Sequence, residues 1–262
     1  FNLWHGVGLK HVELGLDADV DVAESIVRKW TRNYSLFKNN VRFLTTSQAM
    51  ENHFIEDMKL SPSQIVRGSY PRNSVYKKKN SDLYKTLAVQ GYNLEEFSDV
   101  YAFVPTYRNF KKTQGEFKKL IPDLDALVTK MQAENSLLIV KLHPQMKSDE
   151  SFVKAQADFA GNTNVLFWDD EYDIYEIFPY ITVGIVDYSS IFYDLLESGV
   201  DKYIRYVPDY EEYVSGRELI GDYFELTDGV IANSFQELLS NVTQNLPVIE
   251  RKDFLLDYFF GF

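Results

Sequence analysis

Two histidines and a pair of serines carry most of the chemistry this sequence offers. His5 stands in Leu3-Trp4-His5-Gly6, His143 in Lys141-Leu142-His143-Pro144, and the serines in Asp187-Tyr188-Ser189-Ser190. The chain has only 4 histidines in 262 residues. Imidazole titrates near neutrality, so it can take or give a proton at physiological pH or donate to a phosphate oxygen. Two hydroxyls and unpaired amides at a helix start form a cradle that the helix dipole makes attractive to anions. Thr106-Tyr107-Arg108 adds a hydroxyl and a planar guanidinium fork suited to phosphate. Each group also has a plain structural reading. The serines could be an ordinary N-cap, His143 a turn residue, Arg108 half of a surface ion pair, and His5 a ring packed beneath Trp4. Phosphate chemistry on a nucleotide-activated substrate is the reading that uses them all.

The elements that must position these groups alternate along the chain. Strand-like runs, most of them largely apolar, cover 41–46, 100–104, 137–140, 165–168, 181–186 and 203–206. Helical spacing covers 21–39, where Asp21 could cap, and the stretch after Ser47, with Met50, Phe54 and Met58 on one face. It returns over 120–133, 148–159, 174–178, 189–197 and 234–242. Runs that are apolar throughout predict strands buried on both faces. Alternation with helices predicts parallel sheets with right-handed crossovers. Thr106, Arg108, His143, Asp187, Ser189 and Ser190 all follow such strands. In open α/β sheets these ends converge on the ligand crevice. The Pro- and Gly-rich stretch between Pro62 and Pro71 marks a domain boundary. We expect residues 1–62 to be the remainder of a first Rossmann-like domain, 63–250 a second one, and the aromatic segment 251–262 to pack back on the fold.

Bulk properties narrow the function classes. The net charge of −12 argues against non-specific nucleic-acid binding, which needs a basic face. The chain has no cysteine, so disulfides and thiolate metal sites are excluded. No secretory signal is evident, nor a run of about 18 apolar residues able to span a bilayer. Phe1 stands where the sequence reads as the end of a strand, so we expect the chain to begin within a domain. Asp17-Ala18-Asp19-Val20-Asp21 opens like a calcium loop, but Val22 and Arg28 occupy the places that need Gly and Glu. It reads as a solvated loop, as does Asp169-Asp170-Glu171, unless that run meets a ligand hydroxyl. There is neither a Walker loop nor a Gly-x-Gly-x-x-Gly fingerprint. The sequence shows no convincing metal-ligand set.

The motifs occur in an order that is itself informative. Leu3-Trp4-His5-Gly6 with Leu9-Lys10, then Tyr70-Pro71-Arg72-Asn73, Pro105-Thr106-Tyr107-Arg108, Lys141-Leu142-His143-Pro144 and Asp187 to Asp194 follow one another along nearly the whole chain. In this the chain resembles the CDP-glycerol glycerophosphotransferase family, which includes teichoic acid primases and polymerases and related capsule polymerases. The resemblance implies a GT-B-like α/β fold of two Rossmann-like domains, with helices on both faces of parallel sheets and an incomplete N-terminal domain here. It implies transfer of glycerol phosphate or ribitol phosphate from a CDP-activated donor to a hydroxyl of a growing polymer or lipid-linked saccharide, with CMP leaving. The CDP-polyol would be a substrate, with no separate cofactor and no metal. His5 then matches the catalytic base, His143 a second functional histidine near the donor phosphates, and Ser189 and Ser190 the pyrophosphate-binding pair. Thr106, Arg108 and Asp187 complete the donor site. Tyr107 and Asn109 depart from the family's usual Trp and acidic residue. The implied location is cytoplasmic, peripheral to the inner face of the bacterial membrane. Competing readings are a GT-B nucleotide-sugar glycosyltransferase or epimerase, and a non-catalytic scaffold of a capsule assembly complex.

Overall fold

A computed structural model describes residues 1–16, 20–32, 41–77, 79, 81–107, 116–216 and 218–261. The chain divides into two compact units. The first contains Phe1–Pro71, Glu211–Thr227 and Arg251–Phe262, and the second Arg72–Tyr210 and Asp228–Glu250.

In the first unit, β1 (Phe43–Thr45) pairs in parallel with β2 (Ile65–Arg67), and Asn2 adds a parallel bridge to Phe43. This pairing places 63–71 in the first unit, beyond the boundary expected at 62. Only three residues of β2 stand between Gln64 and Gly68, too few to register as a strand in the sequence. Helix α1 (Val20–Arg32) starts one residue before the expected cap Asp21, and 33–40 lie outside the described residues. Helix α2 (Gln48–Met58) begins as expected: the Ser47 hydroxyl accepts the Met50 amide, and Met50, Phe54 and Met58 are buried on one face.

Two later segments complete this unit. Lys10 bridges Leu219 in antiparallel fashion, and Ile220 N donates to Leu9 O. The Ser47 hydroxyl donates to Tyr258 O at 2.6 Å, and Leu255 and Phe259 are fully buried. The aromatic C-terminal segment therefore packs back as a helix. Arg251, just before it, donates to the carbonyls of Phe224, Glu225 and Thr227, fixing that stretch of the same unit.

The second unit is a six-stranded parallel sheet. Its strands are β3 (Asp99–Phe103), β4 (Ser136–Val140), β5 (Val165–Phe167), β6 (Val183–Val186), β7 (Lys202–Tyr206) and β8 (Val230–Ala232), in the order β5-β4-β3-β6-β7-β8. Every residue of β3, β4 and β6 is buried, which requires cover on both faces. Its helices are α3 (Asp82–Val89), α4 (Glu116–Leu120), α5 (Leu124–Ala133), α6 (Glu150–Asp158), α7 (Ile191–Ser198) and α9 (Phe235–Asn241); α8 (Tyr210–Ser215), apart from its first residue, and α10 (Lys252–Phe260) belong to the first unit. The helix expected over 120–133 is broken, because Pro122 cannot donate into a helical ladder. Asp123 restarts it by accepting the Ala126 amide.

The short edge strand β8 escaped the sequence reading, yet the backbone before it is tightly constrained. Gly229 has φ of +127°, and a Cβ there would lie 2.6 Å from Tyr203 O. Its carbonyl also accepts Arg205 Nε and Nη2. Gly229→Ala is expected to cost about 1–3 kcal/mol, the usual range for a residue held in a sparsely populated backbone region. A urea denaturation midpoint checks this.

Candidate active site

Counted within the second unit, the strand order is third-second-first-fourth-fifth-sixth. The order reverses between β3 and β6, and ligands of such sheets bind outside the carboxyl ends of the strands at that point. Thr106 follows β3, His143 follows β4, and Asp187 to Ser190 follow β6. These are three adjacent strands, so the expected convergence on one rim of one sheet holds.

Asp187 organises the rim. Its carboxylate accepts Thr106 N (2.8 and 3.0 Å), Thr106 Oγ1 (2.8 Å) and Ser189 N (3.0 Å). Its side chain is buried and its charge would repel a phosphate. Asp187 is thus a clamp joining the loops after β3 and β6. Thr106, whose amide and hydroxyl serve that clamp, shares the positioning role.

Ser190 precedes α7 with helical backbone angles and makes no side-chain cap hydrogen bond. The plain N-cap reading therefore fails for this residue. Ser190 is exposed and Ser189 half-buried. Asp187 has fixed the backbone of Ser189, and α7 presents its positive end behind both.

His143 sits in the loop that Pro144 turns. Its Nδ1 accepts the Gln145 amide at 3.2 Å, which places the proton of the neutral ring on Nε2. The ring is exposed and stacks on Tyr107, centroids 5.1 Å apart. Next to it, Lys141 and Lys147 grip opposite oxygens of Asp170 at 2.9 and 2.8 Å. Burial would raise the Asp170 pKa, but the hydrogen bonds and charges of the two lysines outweigh it and lower the value. Asp170 is therefore paired rather than simply solvated. Arg108 lies outside the described residues, as do residues 17–19 of the Asp-rich loop.

A second polar group lies deeper in the same unit. Arg72 Nη2 meets Asp194 Oδ1 at 2.8 Å, and Tyr175 OH donates to Asp194 Oδ2 at 2.7 Å. Burial raises the Asp194 pKa against the lowering influence of Arg72 and Tyr175, and pushes the Tyr175 hydroxyl upward. Burial also carries neighbouring Glu197 up to about 7, with Asn73 and Arg72 opposing. Two of the sequence motifs, at Arg72 and at Asp194, are thus joined by one ion pair.

In the first unit, His5 is exposed, with its ring 4.2 Å from that of Trp4. Trp4 has φ of +51°, a left-handed conformation that is a genuine outlier for a bulky residue. The strain is held by packing: the Trp4 ring lies against Phe43 and Phe54 at 6.1 and 6.2 Å, and its amide donates to Asn2 Oδ1. Such strain concentrates at functional sites. Gly6, with φ of +128°, turns the chain immediately after His5.

A family model described as CDP-glycerol:poly(glycerophosphate) glycerophosphotransferase matches residues 1–256. The chain belongs to this family. It is similar to the teichoic acid poly(ribitol-phosphate) polymerase of Bacillus spizizenii W23, 23% identical over 268 residues that cover 98% of this chain and 40% of that protein. It is also similar to the teichoic acid poly(glycerol phosphate) polymerase of the same strain, 25% identical over 213 residues, covering 80% of this chain and 52% of that protein. The chain thus spans about half or less of these relatives. Its fold is similar to that of the wall teichoic acid polymerase TagF, with a TM-score of 0.79 at 20% identity over 99% of this chain and 63% of that one.

For a glycerophosphotransferase family chain, the sequence reading missed several contributors. In the sequence Tyr107 stands out only as a departure from the family pattern, yet it stacks on the His143 ring. Arg72 was part of a motif with no role attached. The grouping of His11, His53 and Asp57 in the first unit was also missed. Only the four-residue spacing of His53 and Asp57, one helical turn, could have hinted at it.

Proposed function

We propose that this chain carries the transferase chemistry of a polyol-phosphate polymerase. It moves glycerol phosphate or ribitol phosphate from a CDP-activated donor to a hydroxyl of a growing teichoic-acid-like or capsular polymer. The observation that carries this reading is the rim of His143, Ser189 and Ser190 at the switch point of a parallel sheet, in a chain of this family. The names of the relatives support it, as does a TagF variant structure described as soaked with CDPG, TM-score 0.76 at 20% identity.

In the proposed reaction, the acceptor hydroxyl gives its proton to His5. Its oxygen attacks the donor's β-phosphorus in line, a new P–O bond forms, and the P–O bond to CMP breaks. His143 Nε2–H and the amides and hydroxyls at Ser189 and Ser190 meet the charge on the phosphates. Preorganised donors of this kind supply much of the catalysis in acyl and phosphoryl transfer. The CDP-polyol is a substrate in this scheme and no separate cofactor takes part. Among the described residues no helix is long and apolar enough to cross a membrane. A lipid-linked acceptor would bring the enzyme to the cytoplasmic face of the membrane as a peripheral protein.

Thermal stabilisation by nucleotides tests the donor class, since a ligand that binds the folded state raises the apparent melting temperature. CDP and CDP-glycerol should raise it well above the effect of UDP. The double variant Ser189→Ala with Ser190→Ala should weaken CDP-glycerol binding by about tenfold or more, as expected when hydrogen bonds to a charged group are lost. Equal stabilisation by UDP would favour a nucleotide-sugar enzyme, and unchanged affinity in the double variant would remove the serines from the site.

A further inference from the structure

We propose that His11, His53 and Asp57 form a site for a divalent transition-metal ion of the zinc class, which pins the loop after His5 to α2. Helix α2 sets His53 and Asp57 one turn apart on one face, and the loop 5–16 brings His11 to the same carboxylate. His11 Nδ1 lies 2.9 Å from Asp57 Oδ1, and His53 Nδ1 lies 3.5 Å from Asp57 Oδ2. The three ligand atoms fall within 4.8 Å of one another.

The donor set selects the ion. Two imidazole nitrogens and one carboxylate suit zinc and its neighbours, whereas calcium and magnesium favour oxygen ligands throughout. Zinc bond lengths of about 2.0–2.2 Å put tetrahedral ligand atoms roughly 3.4 Å apart. The observed 2.9 and 3.5 Å fall on either side of that spacing.

The surroundings are those of a held ligand. The Asp57 side chain is fully buried, and its Oδ2 accepts the Val12 amide at 2.7 Å. The Gly15 backbone lies against it so closely that a Cβ would fall 2.1 Å from Oδ1. Outer contacts of this type orient metal ligands. The His11 side chain is 27% exposed, which leaves a route for the ion. An isolated His–Asp pair would account for His11 alone. It leaves unexplained why His53 also turns Nδ1 toward the carboxylate, at a distance too long for a good hydrogen bond.

On binding, the ion takes the place of the proton between His11 Nδ1 and Asp57, the single proton of the neutral imidazole moves to Nε2, and a water fills the fourth position. The site adjoins Phe54, against which Trp4 rests, so the ion would stiffen the segment that presents His5.

The test is titration of the EDTA-treated full-length protein with Zn²⁺ by calorimetry, with Co²⁺ as a spectroscopic probe. One ion per chain should bind, Co²⁺ should show the visible bands of a four-coordinate nitrogen–oxygen site, and Zn²⁺ should raise the melting temperature. His11→Gln and His53→Gln should each weaken binding by about tenfold or more and abolish the Zn²⁺-dependent rise. Their melting temperatures in EDTA should stay near that of the parent, which separates metal loss from misfolding. A parent that binds no Zn²⁺, or glutamine variants that keep its affinity, would overturn the proposal and leave an ion pair with a neighbouring aromatic ring.

Discussion

Replacing His5 with Ala is expected to slow CMP release from CDP-glycerol by about 10²–10⁴-fold, the usual contribution of a positioned general base. The loss should fall on kcat, with donor affinity little changed, because His5 belongs to the first unit and the groups proposed to hold the donor to the second. His143→Ala should produce a comparable loss with a different signature. Its Nε2–H is aimed outward by the Gln145 amide on Nδ1. Removing it should weaken both the donor complex and the transition state, so KM for the donor should rise as kcat falls. Steady-state kinetics on the full-length protein with each variant separates the two roles. A rate within a few-fold of the parent for His5→Ala would remove it as the base.

Asp194→Ala is expected to be the most destabilising change in the second unit, at about 3 kcal/mol or more. Breaking a buried pair by deleting one partner typically costs about 3–5 kcal/mol, because the remaining charge keeps its desolvation penalty. The Asp194 side chain is 5% exposed and that of Arg72 25%, so the lower end of that range applies. The truncation also takes the acceptor from Tyr175 OH. Against a total stability of about 5–15 kcal/mol, this is a large share. Urea denaturation of Asp194→Ala, Arg72→Met and the double variant checks it. The double variant should be less destabilised than the sum of the single ones, and a loss below about 1 kcal/mol for Asp194→Ala would show the pair to be energetically idle.

The parallel sheet was legible because its signals are local. Residues 100–104 and 137–140 are apolar throughout and 181–186 is apolar but for Thr182 and Gly184, and the strands found there are buried along their length. The cap at Ser47 arises from a side chain beside the helix it starts. The strands β2 and β8 were not legible, since each is three residues long and bounded by polar or glycine residues, Gln64 and Gly68 for β2 and Gly229 and Asn233 for β8, with no longer apolar run around it. Nor was the composition of the first unit, because 211–227 and 251–262 return to it across long stretches of chain.

The sequence by itself determined which chemical groups this protein can bring to bear: imidazoles, hydroxyls and a guanidinium placed after apolar runs. Residue type and short-range periodicity suffice for that. Only the tertiary structure decided which of those groups share a site and in what role. The strand order makes β3, β4 and β6 neighbours and so gathers Thr106, His143 and Ser189 on one rim. The same folding makes Asp187 a clamp on Thr106, 81 positions away, and pairs Arg72 with Asp194, 122 positions away. It also brings His11 to Asp57 across 46 positions. Contacts at such separations depend on how the elements pack, and no local pattern of residues encodes that.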